Sequence, residues 1–444
     1  MWVSCAAVVF GLLLFVTQCH PMGIGQASQP SSTPALSAGT RIVRTLDPLA
    51  PGWGLTHTQH DADDGDSGAD ASAQQLLSEI NLPQDQAIMG WGADNPEPSP
   101  GVYDFGSLDS RISVIEHSGG LPVITLCCAP DWMKGGTAGQ TDWNNLEVAP
   151  TPAHYADFAA LAATVAKRYP QVHDFIVWNE FKGFYDNADQ QWNAADYTAL
   201  YNRVYAALKA VNPAIEVGGP YLSMDSARVG STSYPSALSG VWGTLDERDL
   251  QAFEYWNKHK AGADFVVVDG SSATKTAPMA TDEFTSTQKF VAVTDWLRQQ
   301  TGGLPVWWSE WYVQPDGTDW TEPHLDAVLA AGLMAQVRAG VSASFYWNPE
   351  TTGNSCQGCL WTSTFLGSGK GGLEMPAMAL IQDFARWFMP GTPLVTITDD
   401  NPEVYVLAQA KEGLAVNTTG RTVTAHVDGR TLTLTPYQID WFTR

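Results

Sequence analysis

Two glutamates follow apolar and aromatic runs, where a carboxylate is costly to place. Glu180 ends the run HDFIVWNE, and Glu310 lies in the run LPVWWSEW. Because such neighbours remove a carboxylate from water, its presence there points to a function. Cleavage of a glycosidic bond requires two carboxyl groups, one that protonates the leaving oxygen and one that is ionised. Apolar surroundings raise a carboxyl pKa and hydrogen-bond donors lower it, so one pair can fill both roles.

The elements that must position these residues alternate between strands and helices. Eight apolar segments, each followed by a helical pattern, are GWGLTHT from Gly52, AIMGWG from Ala87, LPVITLCC from Leu121, HDFIVWNE from His173, IEVGGPYL from Ile215, ADFVVVDG from Ala263, LPVWWSEW from Leu304 and VSASFYWN from Val341. Such alternation is typical of a parallel sheet, and eight units predict a closed (β/α)8 barrel. Glu180 and Glu310 then end strands four and seven, at the face where barrel active sites lie.

The chain divides into four predicted regions. They are a signal peptide at 1–27, a linker with a possible strand of the β-domain at 28–45, the catalytic barrel at 46–390 and a small β-domain at 391–444. The apolar run from Ala6 to Val16 is too short to cross a bilayer and is typical of a signal peptide, so we expect a secreted protein. After Pro390 short alternating runs and the hairpin signal Asp428-Gly429 predict an antiparallel, β-sandwich-like domain.

Composition and charge exclude several classes of partner. The net charge of −24 repels phosphate backbones and anionic lipids, so we expect neither nucleic-acid binding nor membrane insertion. The acidic run from His60 to Asp70 does not fit a calcium loop and is interpreted as a solvated loop, beside which His57 is a candidate for substrate contact. No zinc spacing or nucleotide-binding glycine motif is present, and we expect no metal and no cofactor.

The cysteines beyond the leader form two close pairs. Cys356 and Cys359, in the segment NSCQGC, are predicted to form a disulfide in an exported chain. Cys127 and Cys128 lie on an apolar strand, and we expect at least one of them to be a small buried hydrophobic residue.

The motifs around both glutamates resemble a known group of enzymes. WNE at 178–180 resembles the Asn-Glu signature of the retaining glycoside hydrolases of clan A, and SEW at 309–311 resembles their nucleophile strand. Within this clan the chain is most similar to glycoside hydrolase family 39, which includes β-xylosidases. The resemblance implies a barrel with a flanking β-domain, Glu180 as acid/base and Glu310 as nucleophile. It also implies that Asn179 hydrogen-bonds the sugar 2-hydroxyl.

Further candidates for substrate binding lie at other predicted strand ends. Trp347, Trp132 and Trp91 are predicted sugar platforms, although core packing is the alternative for each. Asp269 ends strand six, where relatives often have a residue that contacts the nucleophile, and a third carboxylate there would change the pKa balance. Strand two has Gly-Trp-Gly at 90–92, where many clan members carry an arginine.

The sequence thus predicts a secreted retaining glycoside hydrolase. Its expected substrate is an oligosaccharide or polysaccharide with β-glycosidic bonds of the xyloside or glucan type. Two alternatives remain open, namely an endo-acting β-glucanase of the same clan and a catalytically silent carbohydrate-binding barrel. The missing arginine of strand two favours the silent barrel, and the two strand-end glutamates favour an enzyme.

Overall fold

The computed structural model describes residues 41–59, 61–275, 279–315, 320–351, 358–367 and 369–444. The predicted signal peptide at 1–27, residues 28–40 of the predicted linker and Cys356 lie outside the described residues.

The described strands include eight that form the barrel and others that lie in its loops or in small sheets. They are β1 (Ile42–Thr45), β2 (Gly52–Thr56), β3 (Pro83–Ala87), β4 (Leu121–Leu126), β5 (Asp174–Val177), β6 (Tyr185–Asp186), β7 (Gln191–Trp192), β8 (Glu216–Ser223), β9 (Ser226–Ala227), β10 (Pro235–Gly240), β11 (Gly243–Asp246), β12 (Phe265–Ser271), β13 (Val306–Tyr312), β14 (Ala343–Tyr346), β15 (Pro393–Val395), β16 (Val404–Ala408), β17 (Glu412–Asn417), β18 (Val423–Val427), β19 (Arg430–Leu434) and β20 (Ile439–Thr443).

The described α-helices alternate with these strands through the barrel. They are α1 (Ser67–Leu77), α2 (Gly106–His117), α3 (Tyr155–Arg168), α4 (Ala194–Val211), α5 (Glu247–His259), α6 (Glu283–Ser286), α7 (Gln288–Thr301), α8 (Glu322–Ala339) and α9 (Pro376–Trp387).

Eight parallel strands close into a barrel in the order β12-β13-β14-β2-β3-β4-β5-β8. The predicted (β/α)8 fold is confirmed. A buried cluster with members from six barrel strands includes Phe265 and Trp307, whose ring centroids are 3.6 Å apart. Tyr221 of β8 belongs to the same cluster, so the packed interior also fixes a hydroxyl that reaches the site described below.

The second barrel strand lies four residues earlier than the apolar pattern predicts. The prediction placed it at AIMGWG from Ala87, whereas β3 is Pro83–Ala87, with the sequence PQDQA. Gln84, Asp85 and Gln86 are all buried in β3. The Thr125 hydroxyl donates to Asp85 over 2.8 Å, so a polar strand is accommodated because its side chains find partners inside the molecule.

Small antiparallel sheets follow the barrel. Strands β16, β17 and β20 form one sheet, β18 pairs with β19, and β1 near the start of the described chain pairs with β15. Trp441 of β20 packs against two rings of α9, with centroid distances of 5.9 Å to Phe384 and 5.0 Å to Trp387. The C-terminal sheets therefore share apolar contacts with the helical shell of the barrel.

The expected burial of the Cys127–Cys128 pair is confirmed for both residues. The two cysteines also form a disulfide with each other, which the sequence analysis did not predict. Cys359 is also disulfide-bonded, and because Cys356 lies outside the described residues its pairing stays a prediction. Among the described helices, none combines the length and the apolar character that a membrane crossing requires.

Candidate active site

Both predicted catalytic glutamates line one chamber at the carboxyl end of the barrel strands. Glu180 lies three residues beyond the end of β5, and Glu310 lies within β13. This first chamber has a volume of about 650 Å³, within the range of small-molecule sites. Its lining includes Trp91, Asn179, Glu180, Lys182, Glu310, Tyr312, Gln314, Leu325, Tyr346 and Trp347. The structure therefore brings together four predicted residues around Glu310, namely Glu180, Asn179, Trp91 and Trp347.

Glu310 is held by two hydrogen-bond donors. The Tyr221 hydroxyl donates to Glu310 Oε1 over 2.6 Å, and Asn179 Nδ2 donates to the same oxygen over 3.1 Å. Desolvation and the charge of Glu180 raise the pKa of Glu310, while the hydrogen bond from Tyr221 and the charge of Lys182 lower it. The raising contributions are larger, and the resulting pKa is about 8. Donors of this kind stabilise the ionised carboxylate, which is the form that attacks carbon.

Glu180 has an opposite charge close by. Lys182 Nζ lies 2.8 Å from Glu180 Oε2 and 3.9 Å from the centroid of the Trp91 ring. Desolvation raises the pKa of Glu180, but the hydrogen bond with Asp269 and the charge of Lys182 outweigh it, and the pKa lies below its ordinary value.

Asp269 supplies a third carboxyl group to the site. It is buried, and its position in β12 is paired with Glu310 in β13. Its side chain hydrogen-bonds Glu180 rather than Glu310, and burial together with the charge of Glu180 holds its pKa well above the ordinary range. Asp269 is therefore the protonated partner in this hydrogen bond.

The surroundings of the three carboxyl groups favour different protonation states. Burial and nearby negative charge raise the pKa of Asp269 well above the ordinary range and that of Glu310 to about 8, whereas the hydrogen bond with Asp269 and the charge of Lys182 lower the pKa of Glu180. The site thus favours an ionised Glu180 beside two carboxyl groups that keep their protons near neutral pH.

The backbone around Glu180 adopts an unusual conformation. Trp178, Glu180 and Phe181 have φ values of +71°, +48° and +55°, in the left-handed region that bulky residues rarely occupy. The indole of Trp178 donates to the carbonyl of Lys182 over 2.8 Å and holds the turn together. Such conformations cost about 1–3 kcal/mol each and cluster at functional sites, so the turn that presents Asn179 and Glu180 is maintained by its packing.

His57 is absent from the lining of the first chamber. Its Nδ1 is 2.8 Å from Asp61 Oδ1 and its Nε2 is 2.8 Å from Gln84 Oε1. Burial lowers the pKa of His57, but the charge of Asp61 and the hydrogen bonds with Asp61 and Gln84 together outweigh it and raise the pKa above 6.5. Both ring nitrogens thus have protein partners, and the small space that His57 lines, of about 10 Å³, is too small for a sugar ring.

Trp132 lies away from the described lining of the first chamber. Its indole nitrogen donates to the carbonyl of Glu97 over 2.9 Å, and its ring packs edge-on against His154 at 5.4 Å. The described contacts of Trp132 are therefore those of a loop-packing residue.

Sequence reasoning missed Tyr221 and Lys182. The sequence predicted the residue that contacts the nucleophile at strand six, whereas Tyr221 comes from β8, the fifth strand of the barrel. Lys182 lies two residues after Glu180, and this spacing was a signal available in the sequence. Among the described residues, no group of three or more His, Cys, Asp or Glu side chains is arranged to hold a metal ion.

A closed (β/α)8 barrel with paired carboxyl groups in a chamber at its carboxyl face is an arrangement that glycoside hydrolases use. The chain belongs to glycosyl hydrolases family 39, whose model matches residues 93–349. This match spans more than half of the chain and includes both Glu180 and Glu310.

Solved structures share this fold. A monomeric β-xylosidase from Caulobacter crescentus is 19% identical, with a TM-score of 0.52 over 84% of this chain and 75% of that one. A conserved exported protein from Bacteroides fragilis is 12% identical, with a TM-score of 0.63 over 87% and 90% of the two chains. A glucosidase from Croceicoccus marinus is 13% identical, with a TM-score of 0.55 over 88% and 82%. A search of curated protein sequences found no match.

Proposed function

We propose that this protein is a secreted retaining β-glycosidase that acts on xyloside- or glucan-type oligosaccharides and polysaccharides. Glu180 protonates the leaving oxygen while Glu310 attacks the anomeric carbon and forms a covalent glycosyl-enzyme. Water that has lost its proton to Glu180 then releases the sugar. The observation that carries this proposal is the convergence of both glutamates on one chamber, with Tyr221 and Asn179 donating to Glu310.

The presence of Lys182 in the site argues against the alternative of a catalytically silent carbohydrate-binding barrel. Lys182 lies within the first chamber, and its charge lowers the pKa of Glu310. Although strand two lacks the arginine, Lys182 supplies a positive charge near the proposed nucleophile Glu310. This compensation favours an active enzyme over a silent carbohydrate-binding barrel.

Covalent trapping tests the mechanism. A 2-deoxy-2-fluoro β-glycoside with a good leaving group should label the protein, and peptide mass spectrometry should place the label on Glu310. Glu310→Gln should lose at least about 10³-fold in kcat on aryl β-glycosides, because an amide is a poor nucleophile. Glu322→Gln, a change in the first turn of α8, is the matched control and should retain activity. A protein that hydrolyses substrates but labels elsewhere would refute the assignment of Glu310.

Substrate and export need separate measurements. Aryl β-xyloside and β-glucoside rates identify the sugar, and the products released from polysaccharides separate exo action from the endo-glucanase alternative.

Export predicts that protein recovered from the medium begins after residue 27. An unlabelled, inactive protein that still binds oligosaccharides would favour the silent barrel.

A further inference from the structure

A buried carboxyl group that the proposed mechanism does not use lies close to Glu310. Asp85 belongs to barrel strand β3 and is buried. Its side chain lines the small space of about 10 Å³ that His57 also lines. Glu310, Tyr221 and Asn179 line the same space. Asp85 therefore shares this small space with the proposed nucleophile and with both of its hydrogen-bond donors.

The small space adjoins the first chamber. Trp91, Asn179, Glu310 and Trp347 line both of them. A volume of this size has room for about one water molecule. Bulk water therefore cannot enter between Asp85 and Glu310, and charges on the two side chains interact more strongly than they would in solution.

The hydrogen-bond donors that hold Asp85 are neutral. Thr125 Oγ1 lies 3.0 Å from Asp85 Oδ1 and 2.8 Å from Oδ2. Burial raises the pKa of Asp85 to about 7, although hydrogen bonds from Thr125 and from the backbone of Gln86 and the charge of His57 lower it. Asp85 is therefore neutral in mildly acidic solution and becomes ionised as the pH rises through about 7.

Asp85 becomes ionised before Glu310 does. The pKa of Asp85 is about 7 and that of Glu310 is about 8, so Asp85 already carries a negative charge when Glu310 loses its proton. Burial and the charge of Glu180 raise the pKa of Glu310 most, and the charge of Asp85 raises it further. Removal of the Asp85 charge should therefore make Glu310 easier to ionise.

Other charged and titratable groups also face the two carboxyl groups. Those that act on Glu310 from the described elements are Asp85 of β3, Glu180 and Lys182 after β5, Tyr221 of β8, Asp269 of β12 and Tyr312 of β13, whereas His57, after β2, faces Asp85. The pKa of Glu180 lies below its ordinary value and that of Asp269 lies well above it. Among these carboxyl groups, Asp85 is thus the one that gains its charge just before Glu310 titrates.

We propose that Asp85 is a positioning residue of the active site, whose charge acts on Glu310 across the small space and keeps the proton of Glu310 in the site to higher pH. The consequence for the reaction rests on the proposed function, because it requires Glu310 to be the nucleophile. The electrostatic effect on Glu310 does not depend on catalysis.

Two neutral replacements of Asp85 test this proposal. Asp85→Asn removes the charge and keeps a carbonyl oxygen that can accept from Thr125. Asp85→Ser also removes the charge, so a folding defect in one variant does not prevent the test. Asp174→Asn is the matched control, because the pKa of Asp174 is also raised to about 7 by burial and by the charges of nearby carboxylates. Asp174 begins β5, at the opposite end from Glu180, and is absent from the linings of the first chamber and of the small space.

Kinetics and a direct titration give independent measurements. The first is kcat/KM on a phenyl β-glycoside, whose poor leaving group needs an acid, between about pH 5 and 10. The second is carbon-13 NMR of protein labelled at the glutamate carboxyl carbons, with the Glu310 signal assigned by its absence in Glu310→Gln. Both Asp85 variants should move the alkaline limb and the pKa of Glu310 down by about 0.5 unit or more. Asp174→Asn should stay within about 0.2 unit of the wild type.

Each outcome identifies which statement fails. If the wild type shows no Glu310-dependent hydrolysis, the proposed function fails, and the NMR titration alone decides whether Asp85 acts on Glu310. If hydrolysis depends on Glu310 but its pKa is unchanged in folded Asp85 variants, only the proposal for Asp85 is overturned. A loss of kcat/KM that is equal at every pH would show a structural role and would also overturn it, as would an equal shift in Asp174→Asn.

Discussion

At the scale of single residues, Tyr221 is the strongest donor to the proposed nucleophile. Its hydroxyl lies 2.6 Å from Glu310 Oε1, and this hydrogen bond lowers the pKa of Glu310. The same carboxylate oxygen also accepts from Asn179. Loss of the Tyr221 hydroxyl would therefore weaken, but not remove, the stabilisation of the ionised nucleophile.

The variant Tyr221→Phe should lower kcat/KM about 10²-fold, in line with the loss of one well-placed donor. It should also move the alkaline limb of the pH profile to higher pH, because the pKa of Glu310 rises. Steady-state rates on an aryl β-glycoside between pH 4 and 10 measure both effects. Tyr201→Phe is the control, since Tyr201 donates to the carbonyl of Gly262 and does not line the first chamber. A Tyr221→Phe profile that keeps the wild-type rate would argue against the role of this hydroxyl.

The wild-type pH profile should be bell-shaped. Above a pH of about 8 Glu310 loses its proton, and the pair of glutamates no longer holds the proton that the proposed acid step needs. Glu180 has a pKa below its ordinary value of 4.5, so a second proton is gained only at lower pH, where no nucleophile remains. Lys182→Met should raise both carboxyl pKa values and move both limbs upward, whereas Lys182→Arg should keep them near the wild type. A Lys182→Met profile that moves downward would contradict this electrostatic account.

At the scale of elements, Arg111 connects helix α2 to the loops after two barrel strands. Its guanidinium lies 3.0 Å from Asp61 Oδ1 and 2.7 Å from Asp63 Oδ1. It also donates to the carbonyl of Thr58 over 2.8 Å and, through Nε, to that of Gly92 over 3.0 Å. Arg111 is buried, so one side chain satisfies several groups that water cannot reach.

The variant Arg111→Met should lower the free energy of unfolding by about 3–5 kcal/mol, because it removes the buried cation from Asp61 and Asp63 and leaves the carbonyls of Thr58 and Gly92 without this donor. Chemical denaturation monitored by circular dichroism measures the loss. Arg421→Met removes an exposed partner of Glu403 and should cost less than about 1 kcal/mol. Equal losses in the two variants would show that burial does not set the strength of the Arg111 contacts.

The barrel strands and the residues they place in the site were predicted from the sequence only in part. The barrel followed from the eightfold alternation, and the two glutamates followed from their positions at strand ends. The position of strand β3 was predicted wrongly because its buried residues are polar. A hydropathy pattern does not show the hydrogen-bond partners, such as Thr125 for Asp85, that make the burial of these residues possible. The hydroxyl of Tyr221 and the pairing of Asp269 with Glu180 depend on where neighbouring strands place their side chains, which no local pattern records.

At the scale of the whole molecule, the C-terminal sheets and the barrel share a continuous set of contacts. Trp441 packs on Phe384 and Trp387, and Arg338 of α8 donates to the carbonyl of Val406 over 2.5 Å. The pairing of β1 with β15 ties the first described strand to the region after the barrel. We therefore expect the two parts to unfold together.

Urea unfolding should give one transition, with tryptophan fluorescence and far-ultraviolet circular dichroism coincident. Trp441→Ala should lower the stability of that single transition by about 2–4 kcal/mol through lost packing. Trp143→Ala is the control, because Trp143 is 43% exposed and its loss should change stability little. Two separated transitions in the wild type would show that the sheets form an independent unit.

Glu180 lines both the first chamber and a neighbouring space that Asp225, Asp249 and Lys275 also line, and this position has a kinetic consequence in the proposed mechanism. Water that releases the covalent sugar must arrive from the side that the first product occupies. A product that stays in the neighbouring space therefore delays hydrolysis, and its own hydroxyl groups compete with water for the glycosyl-enzyme. The residence time of the departing sugar would then set the ratio between hydrolysis, in which water accepts the bound sugar, and transfer of the bound sugar onto a hydroxyl group of another sugar.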